Sequence, residues 1–227
     1  MHLSAISTAA PHLTFHCITS VERCCLDVFC VEGEITMTEL IPANARVAMS
    51  LIQSKYQPYL TTPLPDISSY KFYKEKEGFE TVFHSIYTKT FRTANLTIFG
   101  TAKITANQIN GFVTPDDPPS NRIIYLNMDG AGDFGTLVHE TIHAVSHSNF
   151  YPTYYCTGGA APAIVEGITE YLTRKSHPLV DMRRSSYQDW YDETETWVGT
   201  EGSARYVEMV NWIFRGVQPV TWSPNFP

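Results

Sequence analysis

Asp133-Phe134-Gly135-Thr136-Leu137-Val138-His139-Glu140-Thr141-Ile142-His143-Ala144-Val145 is the stretch on which the reading of this chain turns. Asp133 suits a helix N-cap, because its short carboxylate can accept from the unpaired N–H groups of the first turn. Leu137, Val138, Ile142 and Val145 follow at helical spacing and mark an apolar face. An amphipathic helix is expected, ending near Ser148-Asn149. Within it stands His139-Glu140-Thr141-Ile142-His143, which reads H-E-x-x-H. Residues four apart on a helix lie one above the other, so His139 and His143 can aim ring nitrogens at one metal ion. Glu140 follows the first histidine directly and can reach a water held there, taking its proton as the water attacks a carbonyl. The pattern is short, so its surroundings must support it.

A catalytic zinc takes three protein ligands and leaves one position open. A third histidine six residues after His143 is not available, because Ser146 and Asn149 stand where a Gly and that His would be needed. His147 shares a face with His139 and His143, but one straight helix does not wrap three such ligands around one ion; His147 reads as a rim or surface residue. The better source is Ala163-Ile164-Val165-Glu166-Gly167-Ile168-Thr169-Glu170-Tyr171-Leu172. Pro162 suits a first helical turn and His177-Pro178 a stop. Ile164, Ile168 and Leu172 form an apolar stripe, while Glu166 and Glu170 share another face. Two carboxylates at that spacing repel unless something positive lies beside them. Glu166 is the expected metal ligand. Glu170 is expected to accept a hydrogen bond from the second ring nitrogen of a ligand histidine, fixing its tautomer. The competing reading is a solvated acidic face with Glu170 paired to Arg174. Gly167 would let the two helices approach closely.

H-E-x-x-H followed after 22 residues by E-G-x-x-E-Y resembles the gluzincin zinc metallopeptidases, in particular small minigluzincin and bacterial toxin-associated peptidase domains. The matching stretch runs from about Asn121 to Arg174. The resemblance implies an α+β fold of zincin type with a mixed sheet, an H-E-x-x-H helix and a second ligand-bearing helix. It implies one zinc per chain held by His139, His143 and Glu166, with Glu140 as general base and then acid, and Glu170 as the carboxylate behind a ligand histidine. The G-x-M-E-N signature of the aminopeptidases is absent, which favours an endopeptidase. Val165-Glu166 stands where thermolysin-like enzymes read N-E.

Asn121-Arg122-Ile123-Ile124-Tyr125-Leu126-Asn127-Met128 is rich in strand formers and ends at the turn signal Asp129-Gly130. In gluzincins such a strand borders the cleft and pairs with an extended peptide substrate. Upstream, Phe83 to Phe99 alternates β-branched and aromatic residues and is expected to add one or two strands. Gly111 and Pro115-Asp116-Asp117-Pro118-Pro119-Ser120 read as loop. An oxyanion forming in the transition state needs a donor besides the metal. Tyr171, His177, Tyr187, Tyr191 and Tyr206 are the candidates; Tyr206, which opens the apolar helical segment Tyr206–Phe214, is the working choice.

Composition sets the frame. The chain has 227 residues, 43% of them hydrophobic, and a net charge of −7. With no basic run longer than Arg183-Arg184, nucleic acid is an unlikely partner. No apolar run approaches the ~18 residues of a membrane span. Met1-His2-Leu3-Ser4-Ala5 lacks the features of a classical signal peptide, and secretion or toxin-like delivery stays open. Cys17, Cys24, Cys25 and Cys30 cluster early and Cys156 stands apart; with five cysteines at least one thiol is unpaired within the chain, and buried reduced thiols are the leading reading. Asn95-Leu96-Thr97 is a glycosylation sequon. Residues 1–75 carry no readable motif beyond a helix over Ala43–Gln57 and a loop at Thr61–Asp66, and are set apart as a subdomain or pro-segment from a peptidase domain at 76–227. The expected activity is hydrolysis of a peptide or protein substrate. The alternatives are a catalytically inactive zinc-binding or interaction module of the same fold, or a structural domain without metal. Oligomeric state is left open.

Overall fold

The helix that carries the motif lies at the centre of the fold. The computed structural model describes residues 37–90, 109–127, 129, 133–151, 153, 161–176 and 187–220. Along them come α1 (Met37–Tyr56), β1 (Tyr70–Tyr73), α2 (Lys76–Thr90), β2 (Gly111–Val113), β3 (Ile124–Asn127), α3 (Phe134–Val145), α4 (Ala161–Ser176), α5 (Gln188–Val198) and α6 (Ala204–Arg215). Among the described residues the protein is α+β, with six α-helices and one mixed three-stranded sheet. α3 packs against α1, α4, β2 and β3, and every residue from Gly135 to Val145 is buried.

The described residues all belong to one compact unit. α1 and β1, which the sequence reading sets with residues 1–75, therefore share the core of the motif helix. Ala45, Ala48, Ile52 and Tyr56 repeat at intervals of three and four and are all buried, the stripe an amphipathic helix needs. α1 starts at Met37 and continues through Pro42, whose missing N–H removes one bond from its ladder.

β3 is the middle strand, parallel to β1 and antiparallel to β2. Parallel neighbours need a crossover, and α2, which packs on β1 and β3, lies within that connection. Alternation along the strands separates two faces. Ile124 and Leu126 point into the main core with Val113 and Tyr70. Phe112 and Tyr125 stack on the opposite face, centroids 4.9 Å apart, beside Phe79 and Phe83 of α2.

Three expectations are corrected here. Residues 83–90 are helix, not strand: Phe79 and Phe83 sit one turn apart and fill the space under the sheet, so tertiary packing overrides the β propensity of the segment. Residues 91–99 lie outside the described residues. The strand of the 121–128 segment is β3, but both its edges are taken, so it cannot pair with a substrate. Among the described residues the edge strands are β1 and β2, and β2 begins at Gly111 where a loop was expected.

Candidate metal centre

The geometry begins at the cap. Asp133 accepts from the N–H groups of Gly135 (3.0 Å) and Thr136 (3.2 Å), and from the Thr136 hydroxyl at 2.6 Å. These bonds fix where α3 starts and hence the phase of His139, Glu140 and His143. α3 stops at Val145, earlier than Ser148-Asn149, because Ser146 turns extended and its hydroxyl donates to the His143 carbonyl at 2.7 Å. α4 opens with Ala161-Pro162 and ends at Ser176, as its sequence signals suggest. α3 and α4 pack together, bringing the two halves of the motif face to face.

His139, His143 and Glu166 form a cluster that could hold a metal ion. The Nε2 atoms of the two histidines lie 3.1 Å apart, and Oε2 of Glu166 is 3.0 Å from Nε2 of His139 and 3.4 Å from that of His143. On the far side of the His139 ring, Nδ1 lies 3.2 Å from Oε2 of Glu170. An ionised carboxylate only accepts, so Nδ1 carries the proton and Nε2 presents its lone pair. Thr169 Oγ1 lies 3.4 Å from Nδ1 of His143, on the side of that ring away from Glu166. Three potential ligand atoms thus converge in a site where His139 and His143 are almost fully buried. A cation between them relieves the repulsion and pairs the charge of Glu166, so the donor set fits a metal ion. Burial pushes the Glu166 carboxyl up, but the neighbouring His143 and the hydrogen bonds with both histidines outweigh it and hold the group well below the usual carboxylate range. It stays ionised, as a ligand must.

Glu170 is fully buried and uses both oxygens. Oε2 faces His139, while Oε1 accepts from Nε of Arg174 at 2.9 Å. The pairing with Arg174 and the contact with a histidine of the cluster, posed as competing readings, coexist. Glu140 is buried on α3 and lies against Gly111 of β2.

The structure also sorts the tyrosines. Tyr187 stacks on His139, rings nearly parallel with centroids 5.6 Å apart, and Trp190 stacks behind it at 5.4 Å. Tyr206 is buried on α6 with Glu201, Tyr171 and Tyr59 as its electrostatic neighbours; no ligand of the cluster is among them. Tyr171 packs on Tyr191. His177, Asn95 and all five cysteines lie outside the described residues. His147 is a joint rather than a ligand. Its N–H donates to the Ile213 carbonyl at 2.7 Å, and its Nδ1 accepts from the Asn149 N–H at 3.0 Å. Its ring fills the space that a side chain on Gly216 would need: a Cβ there would come within 2.2 Å of Nδ1.

One supporting residue went unnoticed in the sequence. Arg122 is buried beneath the end of α3 and donates to the carbonyls of His143 (2.9 Å), Ala144 (3.3 Å), Ser146 (2.6 Å), Tyr151 and Asp116. A guanidinium offers five donors and here meets the unpaired carbonyls of a helix end. Burial pulls its pKa down to about 10. Tyr151 packs on both Arg122 and His143 (ring centroids 5.0 Å apart) and anchors its hydroxyl on the Val113 carbonyl at 2.7 Å. The only local hint was a charged residue inside an apolar strand-like run.

No protein-family model, curated protein or solved structure matches this chain. Its reading rests on its own residues.

Proposed function

We propose that this chain is a zinc-dependent peptidase of gluzincin type with a zincin-like fold, acting as an endopeptidase on an extended peptide. The observation that carries this reading is the convergence of His139 Nε2, His143 Nε2 and Glu166 Oε2 in the turn beside Glu140, with Glu170 behind His139. Their separations of 3.0, 3.1 and 3.4 Å suit zinc: a tetrahedron with bonds of ~2.0–2.1 Å has edges of ~3.3 Å.

A bound zinc would polarise the scissile carbonyl and make water a stronger nucleophile at neutral pH. Glu140 takes the proton from the attacking water and returns it to the leaving amine. Glu170 holds His139 in the tautomer that ligation requires, and Arg174 fixes Glu170 in turn. Tyr187 replaces Tyr206 as the tyrosine best placed to assist, since it contacts a ligand. β2 has β3 on one side only among the described residues, so its outer edge, rather than that of β3, is offered to a substrate main chain. The presence of Glu140 in the buried site favours turnover over a silent zinc-binding module.

Elemental analysis of the dialysed protein, with Glu166→Ala and Glu140→Gln, tests the reading together with cleavage of a mixed peptide library. One zinc per chain, lost in Glu166→Ala and kept in Glu140→Gln with cleavage abolished, is the expected result. A folded wild type that takes up no zinc, or cleaves equally well without Glu140, overturns it.

A further inference from the structure

We infer that Arg174 is a positioning residue that registers the Tyr187–Trp190 stack on the metal centre: one guanidinium holds both the carboxylate behind His139 and the first turn of the helix whose leading tyrosine covers that ring. The inference deepens the peptidase reading of the site and rests on it.

Contacts leave His139 by its edge and return on its face. Nδ1 lies 3.2 Å from Oε2 of Glu170, and Oε1 of Glu170 accepts from Nε of Arg174 at 2.9 Å. Glu170 and Arg174 stand four residues apart on α4 and so share one side of it. From the other arm of the fork, Nη1 of Arg174 donates to Oε1 of Gln188 at 2.9 Å. Gln188 is the first residue of α5, and its amide nitrogen donates to Asp192 one turn on at 2.7 Å, so the amide oxygen is the end turned to the guanidinium. Cζ of Arg174 also lies 4.2 Å from the centre of the Tyr191 ring. The residue before Gln188 is Tyr187, whose ring lies 9° from parallel to that of His139, with Trp190 stacked behind it.

The first turn of α5 needs this outside support. Tyr187 stands at its N-cap with φ −120° and ψ 15°, and its side chain makes no capping hydrogen bond, so the turn gains nothing from the device that usually secures a helix start. Further along, α5 is held by other means. Lys175 and the Tyr191 hydroxyl both donate to Glu195, Tyr171 stacks on Tyr191 with centroids 5.9 Å apart, and Thr194 and Val198 are buried. Loosening the hold of Arg174 therefore shifts the turn that carries Tyr187 while the rest of α5 stays docked. A lysine at 174 keeps a cation beside Glu170, but its single ammonium cannot reach the carboxylate and the amide together as the planar fork does. Displacements of about 1 Å at a group that assists the reaction cost up to roughly 100-fold in rate.

The test compares the full chain with Arg174→Lys, with Gln188→Ala, which cuts the tie to α5 without touching Glu170, and with Arg174→Lys/Tyr187→Ala against Tyr187→Ala. Each is loaded with zinc for kcat and KM on a cleaved peptide, and with cobalt for fluorescence. Bound cobalt quenches a nearby indole, so the emission of Trp190, taken as the difference from the matching Trp190→Phe protein, reports the distance of the stack from the metal without turnover. Arg174→Lys and Gln188→Ala are expected to keep one metal per chain and their KM, to lose roughly 10-fold or more in kcat, and to show weaker quenching of Trp190. Arg174→Lys is expected to add no further loss of kcat once Tyr187 is alanine. Unchanged quenching or unchanged kcat in the folded, metal-loaded variants overturns the inference, as does an equal loss of kcat with and without Tyr187. If Arg174→Lys does not fold, Gln188→Ala, at an exposed position, decides by the same readouts. A wild type that binds metal but cleaves nothing ends the peptidase reading and leaves the quenching of Trp190 to decide on Arg174. A wild type that takes up neither metal overturns both.

Discussion

Oε2 of Glu170 lies 3.2 Å from Nδ1 of His139, deep enough that Glu170 has no exposed surface. The carboxylate occupies the Nδ1 side of the ring and leaves Nε2 facing Glu166 and His143, and Arg174 holds the carboxylate there. Such outer partners typically govern metal affinity by 10–100-fold. Glu170→Gln is therefore expected to weaken zinc binding by roughly that factor, read by competition with a chromophoric chelator. A helical circular dichroism spectrum like that of the wild type would show that the fold is intact.

Metal removal should be felt as a loss of stability. A ligand bound only by the folded state stabilises it in proportion to the logarithm of its concentration over Kd, about 4 kcal/mol at a thousandfold excess. Chelation is expected to lower the thermal midpoint, and zinc to restore it. His139→Ala and Glu166→Ala should melt at the same temperature with and without chelator.

Arg122 predicts a stability effect without any change in the ligand set. Replacing it by Met removes this donor from the carbonyls of Ala144, Ser146 and Tyr151, while that of His143 keeps the Ser146 hydroxyl. Each buried acceptor left unpaired costs about 1–3 kcal/mol, partly offset because a charge no longer has to be buried. A net loss of roughly 3 kcal/mol or more is expected in urea unfolding. Arg122→Lys should recover only part of it, because an ammonium cannot fan out to so many carbonyls.

The α4–α5 contact should depend on pH. Lys175 donates to Glu195 at 2.8 Å, and the Tyr191 hydroxyl donates to the same oxygen at 2.7 Å. The Lys175 bond first, and the Tyr191 bond second, hold Glu195 below the ordinary carboxylate range. A carboxyl whose pKa falls on folding adds stability above its unfolded pKa, about 4.3, and loses it as pH falls through the folded value. Both partners are part-exposed, so the effect is small. Glu195→Gln should cost no more than about 1 kcal/mol at pH 7, and less at pH 3, measured by chemical denaturation at both pH values.

The motif helices were legible in the sequence because their signals are local. A cap, an apolar stripe, and histidines and glutamates four apart lie within single segments, and the chemistry of a metal linked the segments to each other. The sheet was harder. Its strands are three or four residues long, too short for alternation to separate them from helix or loop. Phe79 and Phe83 belong to a helix because of what they pack on, which no window around them contains. Arg122 acts across the fold, on the end of α3, and such a role appears only once the chain has closed up. Tyr206 and Tyr187 were alike as letters, and that Tyr187 stacks on His139 is visible only in the folded chain.

The His147–Gly216 joint, finally, limits how far the protein can be cut down. The stretch from Asn121 to Arg174 holds every proposed ligand, yet the segment leaving α3 leans on the C-terminal helix. His147 hangs on the Ile213 carbonyl, its ring occupies the hollow over Gly216, and Phe150 meets Trp212 edge-on at 5.2 Å. A fragment trimmed to the motif would keep the letters and lose the buttress. Anyone seeking a minimal folded piece should therefore retain the chain through Gly216.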